Sequence, residues 1–314
     1  MIRLFTLLSI CMITFWTLAE DRELASGNIS KALFSPNGKQ CSWIAKTDRN
    51  DSLFIRSTDG QNPARELFSP LYQRTFYSWS PDSKRIACTS KQGRKRLVTL
   101  ITVDSGENEV LCEGFNPVFY PEGEKILFFT LDNLCAFDLK TKTINTLSSF
   151  EQRQSFEQIA VLGENIYFSN NGDLWHATLE KQAEMLLDHK EKGVTEPFIQ
   201  NPVPTPDHTF VYVSLITDGL YAHVTDNILG RYDLKAGVMS RLNEANSWTM
   251  RPDGQQIIYG LGGDLKIFPD HQTIGNGASP VFSPNGKHLL YLRSSGWDDP
   301  VKLMLKEMVL NETL

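Results

Sequence analysis

The sequence predicts an all-β chain folded as a β-propeller, and three observations carry that prediction. A short proline phrase recurs along the chain, its copies are spaced at a near-constant interval, and alternating apolar runs flank each copy. The phrase reads Phe34-Ser35-Pro36-Asn37-Gly38-Lys39 and returns as Trp79-Ser80-Pro81-Asp82-Ser83-Lys84. Further copies are Phe119-Tyr120-Pro121-Glu122-Gly123-Glu124, Pro204-Thr205-Pro206-Asp207-His208-Thr209, Met250-Arg251-Pro252-Asp253-Gly254-Gln255 and Phe282-Ser283-Pro284-Asn285-Gly286-Lys287. A copy without its proline sits at Val161-Leu162-Gly163-Glu164. The prolines are 45, 40, 85, 46 and 32 residues apart, the interval of 85 spanning the copy that lacks proline. A period of about 42 residues built from short strands is that of a propeller blade.

Each element of a unit follows from its residues. The first strand runs into the phrase, as in Asn116-Pro117-Val118-Phe119-Tyr120. The phrase is a turn, because Pro presets φ, Asp or Asn bonds its own backbone, and Gly accepts positive φ. The second strand alternates apolar residues, as in Arg85-Ile86-Ala87-Cys88-Thr89 and His288-Leu289-Leu290-Tyr291-Leu292. Third strands are expected at 52–55, 97–100, 133–137, 174–177, 265–268 and 301–304. Polar turns such as Asp104-Ser105-Gly106-Glu107 then lead to a fourth strand.

No such sheet buries both faces alone, so the units must stack into a ring. Seven four-stranded blades are expected, with six possible if the interval from Pro252 to Pro284 holds one blade fewer. The last unit has a weak fourth strand at Val309 to Thr313. The stretch Glu23 to Ser26 is able to replace it and join the two ends of the chain. An insertion at Ala222 to Leu229 and a longer loop from Asp188 to Pro202 are the expected places for binding.

Residues 1–19 read as a secretory signal peptide. Arg3 is followed by an apolar stretch from Leu4 to Trp16 and by small residues at Thr17-Leu18-Ala19. That stretch is shorter than a membrane span. The expected mature chain, 20–314, is a single exported propeller domain, periplasmic or secreted, with no transmembrane span. It carries 30 Lys and Arg against 37 Asp and Glu, since Arg3 leaves with the leader. This acidic balance argues against a nucleic-acid partner. The basic run Arg94-Lys95-Arg96 reads as a solvated hairpin.

Cys41, Cys88, Cys112 and Cys135 remain after cleavage. Three pairings are open, but Cys41 and Cys88 fall at inward-facing strand positions and read as core.

These residues resemble the WD-like propeller repeat of the TolB family. That repeat has an aromatic-Ser-Pro-Asp-Gly-Lys turn, an Ile-Ala-Phe-like second strand and an Ile-Tyr-like third strand. The match covers almost all of the mature chain, and six of seven copies keep the proline (Pro36, Pro81, Pro121, Pro206, Pro252, Pro284). The resemblance implies the propeller without the α/β domain that precedes it in TolB, since about ten residues separate Glu20 from the first strand. The same repeat also occurs in peptidase propellers and some sugar lyases.

No catalytic residue, metal ligand or cofactor site is expected. The chain has no Gly-x-Ser-x-Gly nucleophile turn. Its six histidines show no His-x-x-x-His spacing, and the single His-x-Glu, His189-Lys190-Glu191, stands alone in a long loop. Among them, His208 and His288 read as exposed, while His176, His189, His223 and His271 are scattered through strands, loops and linkers. The turns before the third strands carry Asp51, Asp132, Asp173, Asp264 and Asp299, which propeller geometry places on one rim, opposite the proline turns. They read as good turn residues or as an acidic face toward a basic partner or a cation. Trp175, Trp248 and Trp297 read as core, with exposed anchors as the other reading. The leading expectation is a monomeric, non-enzymatic platform that docks an envelope protein. The rival is a carbohydrate-binding or carbohydrate-cleaving propeller that uses its axial channel.

Overall fold

The computed structural model describes residues 21–47, 50–73, 76–150, 156–188, 198–218, 225–296 and 299–308. The leader, His189, His223, Trp297 and Val309 to Thr313 lie outside them. Within the described residues every regular element is a strand. No helix there is long and apolar enough to cross a membrane.

The strands form antiparallel meanders of four. The innermost strands are Ile29–Phe34, Tyr77–Trp79, Phe115–Phe119, Phe156–Leu162, Phe198–Pro204, Ser247–Met250 and Ala278–Phe282. The first two units are joined into one eight-stranded sheet by the single bridge Leu71↔Ser90. The last unit supplies only Ala278–Phe282, His288–Arg293 and Val301–Glu307 in sequence. Its fourth strand is Arg22–Gly27 from the start of the chain, with Glu23 opposite Met304 and Ala25 opposite Leu303. Asp21 fixes the entry of that strand, accepting from Tyr291 Oη at 2.6 Å and from Lys306 Nζ at 3.0 Å.

The proline phrase forms the turn its residues dictate. Ser35 Oγ donates to Asn37 Oδ1 at 2.8 Å and accepts from the Gln40 amide at 3.0 Å, while the Lys39 amide donates to Asn37 Oδ1 at 2.9 Å. The same bonds recur around Ser80 and Asp82, Thr205 and Asp207, and Ser283 and Asn285. In the sixth unit Arg251 replaces the hydroxyl residue and donates from Nε to Asp253 Oδ1 at 2.8 Å. The residue after the acid sits at positive φ, 70° at Gly38 and 74° at Gly123, and Ser83 and His208 hold it at 62° and 56°. Successive turns also touch. A Cβ at Gly123 would lie 3.4 Å from Pro81, and one at Gly254 only 2.9 Å from Pro206.

Seven apolar clusters hold the units together, each drawn from two neighbours. Leu53 and Tyr77 join the first and second units, Val98 and Phe128 the second and third, and Phe129 and Phe168 the third and fourth. Leu174 with Val211, Leu229 with Trp248, and Ile258 with Tyr291 continue the series. Leu24, Leu303 and Leu290 pack with Ile29, Cys41 and Trp43, so the last unit meets the first. Polar bonds cross the same seams. Trp79 Nε1 donates to Ser42 Oγ at 2.8 Å, and Trp248 Nε1 donates to Ser214 Oγ at 2.9 Å.

Leu24 is 2% exposed and belongs to the seam that joins the two ends. Leu24→Ala is expected to cost about 2–5 kcal/mol, the range for a buried leucine that leaves a cavity. Urea unfolding measures it, and a cost near zero would mean that the first strand adds nothing to the ring.

Candidate functional site

Two places on this scaffold gather chemistry. The first lies on the axis. Each innermost strand approaches the axis just before its proline turn, and most carry a bulge there, as between Ile29 and Lys31, Phe115 and Val118, and Ala278 and Val281. The residue five before each phrase proline is Lys31, Phe76, Asn116, Asn201, Ser247 or Ser279. Asn116, Asn201 and Ser279 share φ of 52°, so this bulge is a feature of the repeat. Lys31 is the one charged residue in that series.

A cavity of about 330 Å³ opens between these strands. Its polar lining is Lys31, Ser78, Asn116 and Gln158, and its apolar lining includes Leu33, Phe76, Val118 and Val281. Lys31 Nζ lies 3.3 Å from the centroid of the Phe76 ring, a cation–π contact. The surrounding protein strips water from the amine and lowers its pKa to about 7. The side chain is half-buried, enclosed on its flanks and open to the cavity. Among the described residues of the lining there is no carboxylate.

The second place is the rim opposite the proline turns. Asp51, Asp173 and Asp264 open the strands Asp51–Ser57, Asp173–Ala177 and Asp264–Phe268. Asp132 stands just before Asn133–Asp138, and Asp299 just before Val301–Glu307. All five therefore occupy second-to-third-strand hairpins of separate units. Asp264 Oδ1 accepts from Asn276 Nδ2 at 2.8 Å, and the Asp132 carbonyl accepts from the Phe150 amide at 2.9 Å. Among the described residues no three His, Cys, Asp or Glu side chains converge.

One of the five, Asp132, lines a wide groove of about 610 Å³ between the second and third units. With it stand Tyr72, Arg94, Arg96, Glu113, Phe115 and Leu131. Arg96 lies over the Phe115 ring at 3.7 Å and over Tyr72 at 5.7 Å. Leu131 is 45% exposed. The basic run thus borders a concave surface as well as forming a hairpin. Sequence reading missed this groove, because its residues come from four loops far apart along the chain. It also missed Lys31, although counting back from each phrase proline would have shown the lone charge.

Comparison with known proteins places the fold. No protein-family model matches the sequence, and no curated sequence is detectably similar. Solved structures do share the architecture. An oligogalacturonate lyase in complex with manganese superposes with a TM-score of 0.64 at 14% identity, covering 88% of each chain. An oligogalacturonate lyase from Vibrio parahaemolyticus gives 0.67 at 11% identity, covering 91% of this chain and 93% of that one. TolB from Acinetobacter baumannii gives 0.51 at 18% identity, covering 90% of this chain and 64% of TolB. At these identities the likeness is one of fold, a β-propeller of the TolB-like kind.

The histidines among the described residues lie outside both places. His176 bridges Asn165 Oδ1 at 2.8 Å and Glu184 Oε1 at 3.3 Å within its own sheet. His271 shares a 2.8 Å bond with Tyr259 Oη. His208 is exposed on its turn, whereas His288, read as exposed from its place in the repeat, is half-buried. It opens a second strand, where its amide donates to Ser283 Oγ at 2.9 Å. Trp248 is buried, Trp175 is half-buried and packs against Phe150 and Phe168.

All four described cysteines are free thiols. Burial pushes Cys41 and Cys112 up to about 12 and raises Cys88 and Cys135 as well. Since the thiolate is the nucleophile, native protein at pH 8 is expected to resist iodoacetamide at all four positions and to react fully once unfolded. Mass spectrometry of the alkylated protein checks this, and a thiol alkylated at the rate of a free peptide cysteine would contradict it.

Proposed function

We propose that this chain is an exported, non-catalytic propeller that docks a protein partner of the cell envelope on the rim bearing Asp51, Asp132, Asp173, Asp264 and Asp299. The groove between the second and third units carries this reading. Tyr and Arg are the side chains enriched at protein interfaces, and a partly exposed leucine beside them supplies apolar area. Tyr72, Arg96 and Leu131 provide that combination in an open concavity. Arg94 and Asp132 provide charges of both signs at its edge, which suits orientation of a partner more than bulk attraction.

The export signal read in residues 1–19 supports the location, and a mature chain richer in acids than bases agrees with a protein partner over nucleic acid. The carbohydrate reading places a substrate on the axis. There the described lining offers an amine, a hydroxyl and two amides, with neither imidazole nor carboxylate among the described residues. That set suits binding of a small polar molecule more than hydrolysis of a glycosidic bond, which needs paired carboxylates in most glycoside hydrolases, whereas a lyase's β-elimination needs only a base.

The test uses the mature chain as bait for cross-linking in an envelope fraction, with Leu131→Asp and Arg94→Glu as variants. Both positions are exposed, so the melting temperature is expected to stay within a few degrees. One defined partner is expected with the wild type, and at least a tenfold loss of it with the double variant. A partner recovered equally by both forms would move the docking surface elsewhere, and no partner at all would remove the proposal.

A further inference from the structure

We infer that the axial channel is a binding site for a small organic carboxylate, held by the Lys31 ammonium together with the side chain of Gln158. The inference starts from a mismatch. Lysine is among the residues least often enclosed by protein without an opposite charge. Here the charge sits in a cavity of about 330 Å³ with no acid among its described lining residues, and its one described contact is the face of Phe76. The aromatic face offsets part of the lost hydration, yet a ring face is not an acceptor of full charge. Equivalent positions in the repeat carry Phe76, Asn116, Asn201, Ser247 and Ser279. The architecture therefore needs no charge at this place, and any neutral residue of that size would close the ring as well.

The rest of the cavity matches one class of ligand. An amine and an amide, Lys31 and Gln158, line it from the first and fourth units, and an amide N–H beside an ammonium is the donor set for a carboxylate. Leu33, Val118 and Val281 line the cavity beside them and suit an apolar or lightly substituted body. The volume lies at the lower end of small-molecule sites, which favours a small acid over a chain of sugars or a folded partner. The other titratable group in the lining, Tyr77, is turned away, since its hydroxyl donates to the Ser42 carbonyl at 3.0 Å and accepts from Ser42 Oγ at 3.1 Å. Among the described residues that line the cavity there is no Asp, Glu, His or Arg, and Lys31 is the charged one.

A pH dependence follows. Only the protonated amine attracts a carboxylate, and its pKa without ligand is about 7. Binding is strongest below that value and weakens above it, with the apparent affinity roughly 30-fold lower at pH 8.5 than at pH 6. Bound carboxylate in turn raises the amine's pKa, so binding near neutral pH takes up a proton.

The experiment is calorimetric titration of the mature chain with benzoate and lactate, and with benzamide and lactamide as neutral counterparts, at pH 6 and pH 8.5. At least one carboxylate is expected to bind, its amide at least tenfold more weakly, with the stated loss at high pH. Lys31→Met is expected to abolish carboxylate binding, and Lys31→Arg to keep it while losing the pH dependence. Lys31→Met should melt at the same or a higher temperature than the wild type, because it removes an uncompensated charge from the channel. Failure of both carboxylates to bind, or equal binding by Lys31→Met, would overturn the inference. So would a lower melting temperature for Lys31→Met, since the lysine would then be a structural filler against Phe76.

Discussion

Neighbour-on-neighbour burial is the constraint from which the rest of this structure follows. A twisted four-stranded sheet has two apolar faces and cannot keep both from water by itself. Here each face finds its partner in the next unit, through clusters such as Val98 with Phe128 and Leu174 with Val211. Such a series leaves two unsatisfied faces unless it returns to its start. Leu24 and Leu303 packing with Trp43 is how this chain returns. The borrowed strand Arg22–Gly27 adds backbone hydrogen bonds to the same seam and ties it to Asp21, Tyr291 and Lys306. Closure also decides where function can lie. It leaves two rims and the axis, because the walls between units are filled with side chains.

Much of this was legible before any coordinates, for a definite reason. The proline turn needs a hydroxyl, an acid or amide, and a residue tolerant of positive φ at fixed spacing, so it leaves a mark in the sequence each time. Where the residues vary, the bonds persist. Arg251 reaches Asp253 in place of a serine, and Ser83 and His208 hold the positive φ usually given to glycine. Strand alternation located the third strands in six units but not in the fifth, where the stretch read as an insertion, Ala222 to Leu229, runs into the strand Thr225–Asp233; the weak end of the last unit pointed to Glu23–Ser26 as the closing strand.

The candidate sites were harder to see, because each is assembled across units. Tyr72, Arg94 and Leu131 stand in different hairpins and links, and nothing in their local sequence shows that they share a groove. Lys31 looks like an ordinary solvated lysine in the run Ile29-Ser30-Lys31-Ala32. Only the bulge of the innermost strand turns it to the axis, and only a comparison of units shows that its counterparts are neutral. The five rim acids were visible as turn residues, and the structure places them in separate hairpins without drawing them into a cluster. The two sites differ in kind. The rim groove is open and of mixed charge, suited to a macromolecule, while the axial cavity is small and holds one cation.

The most direct test of the closed ring is native-state hydrogen exchange on the strands Arg22–Gly27 and Val301–Glu307. Amides at the ladder positions shared by Glu23 with Met304 and by Ala25 with Leu303 should exchange only through opening of the whole ring, as slowly as those of the fully buried strand Lys125–Phe129. Exchange at these positions many orders of magnitude faster, at the rate of a frayed terminus, would show that the units stack in an open array and that the axis is not enclosed.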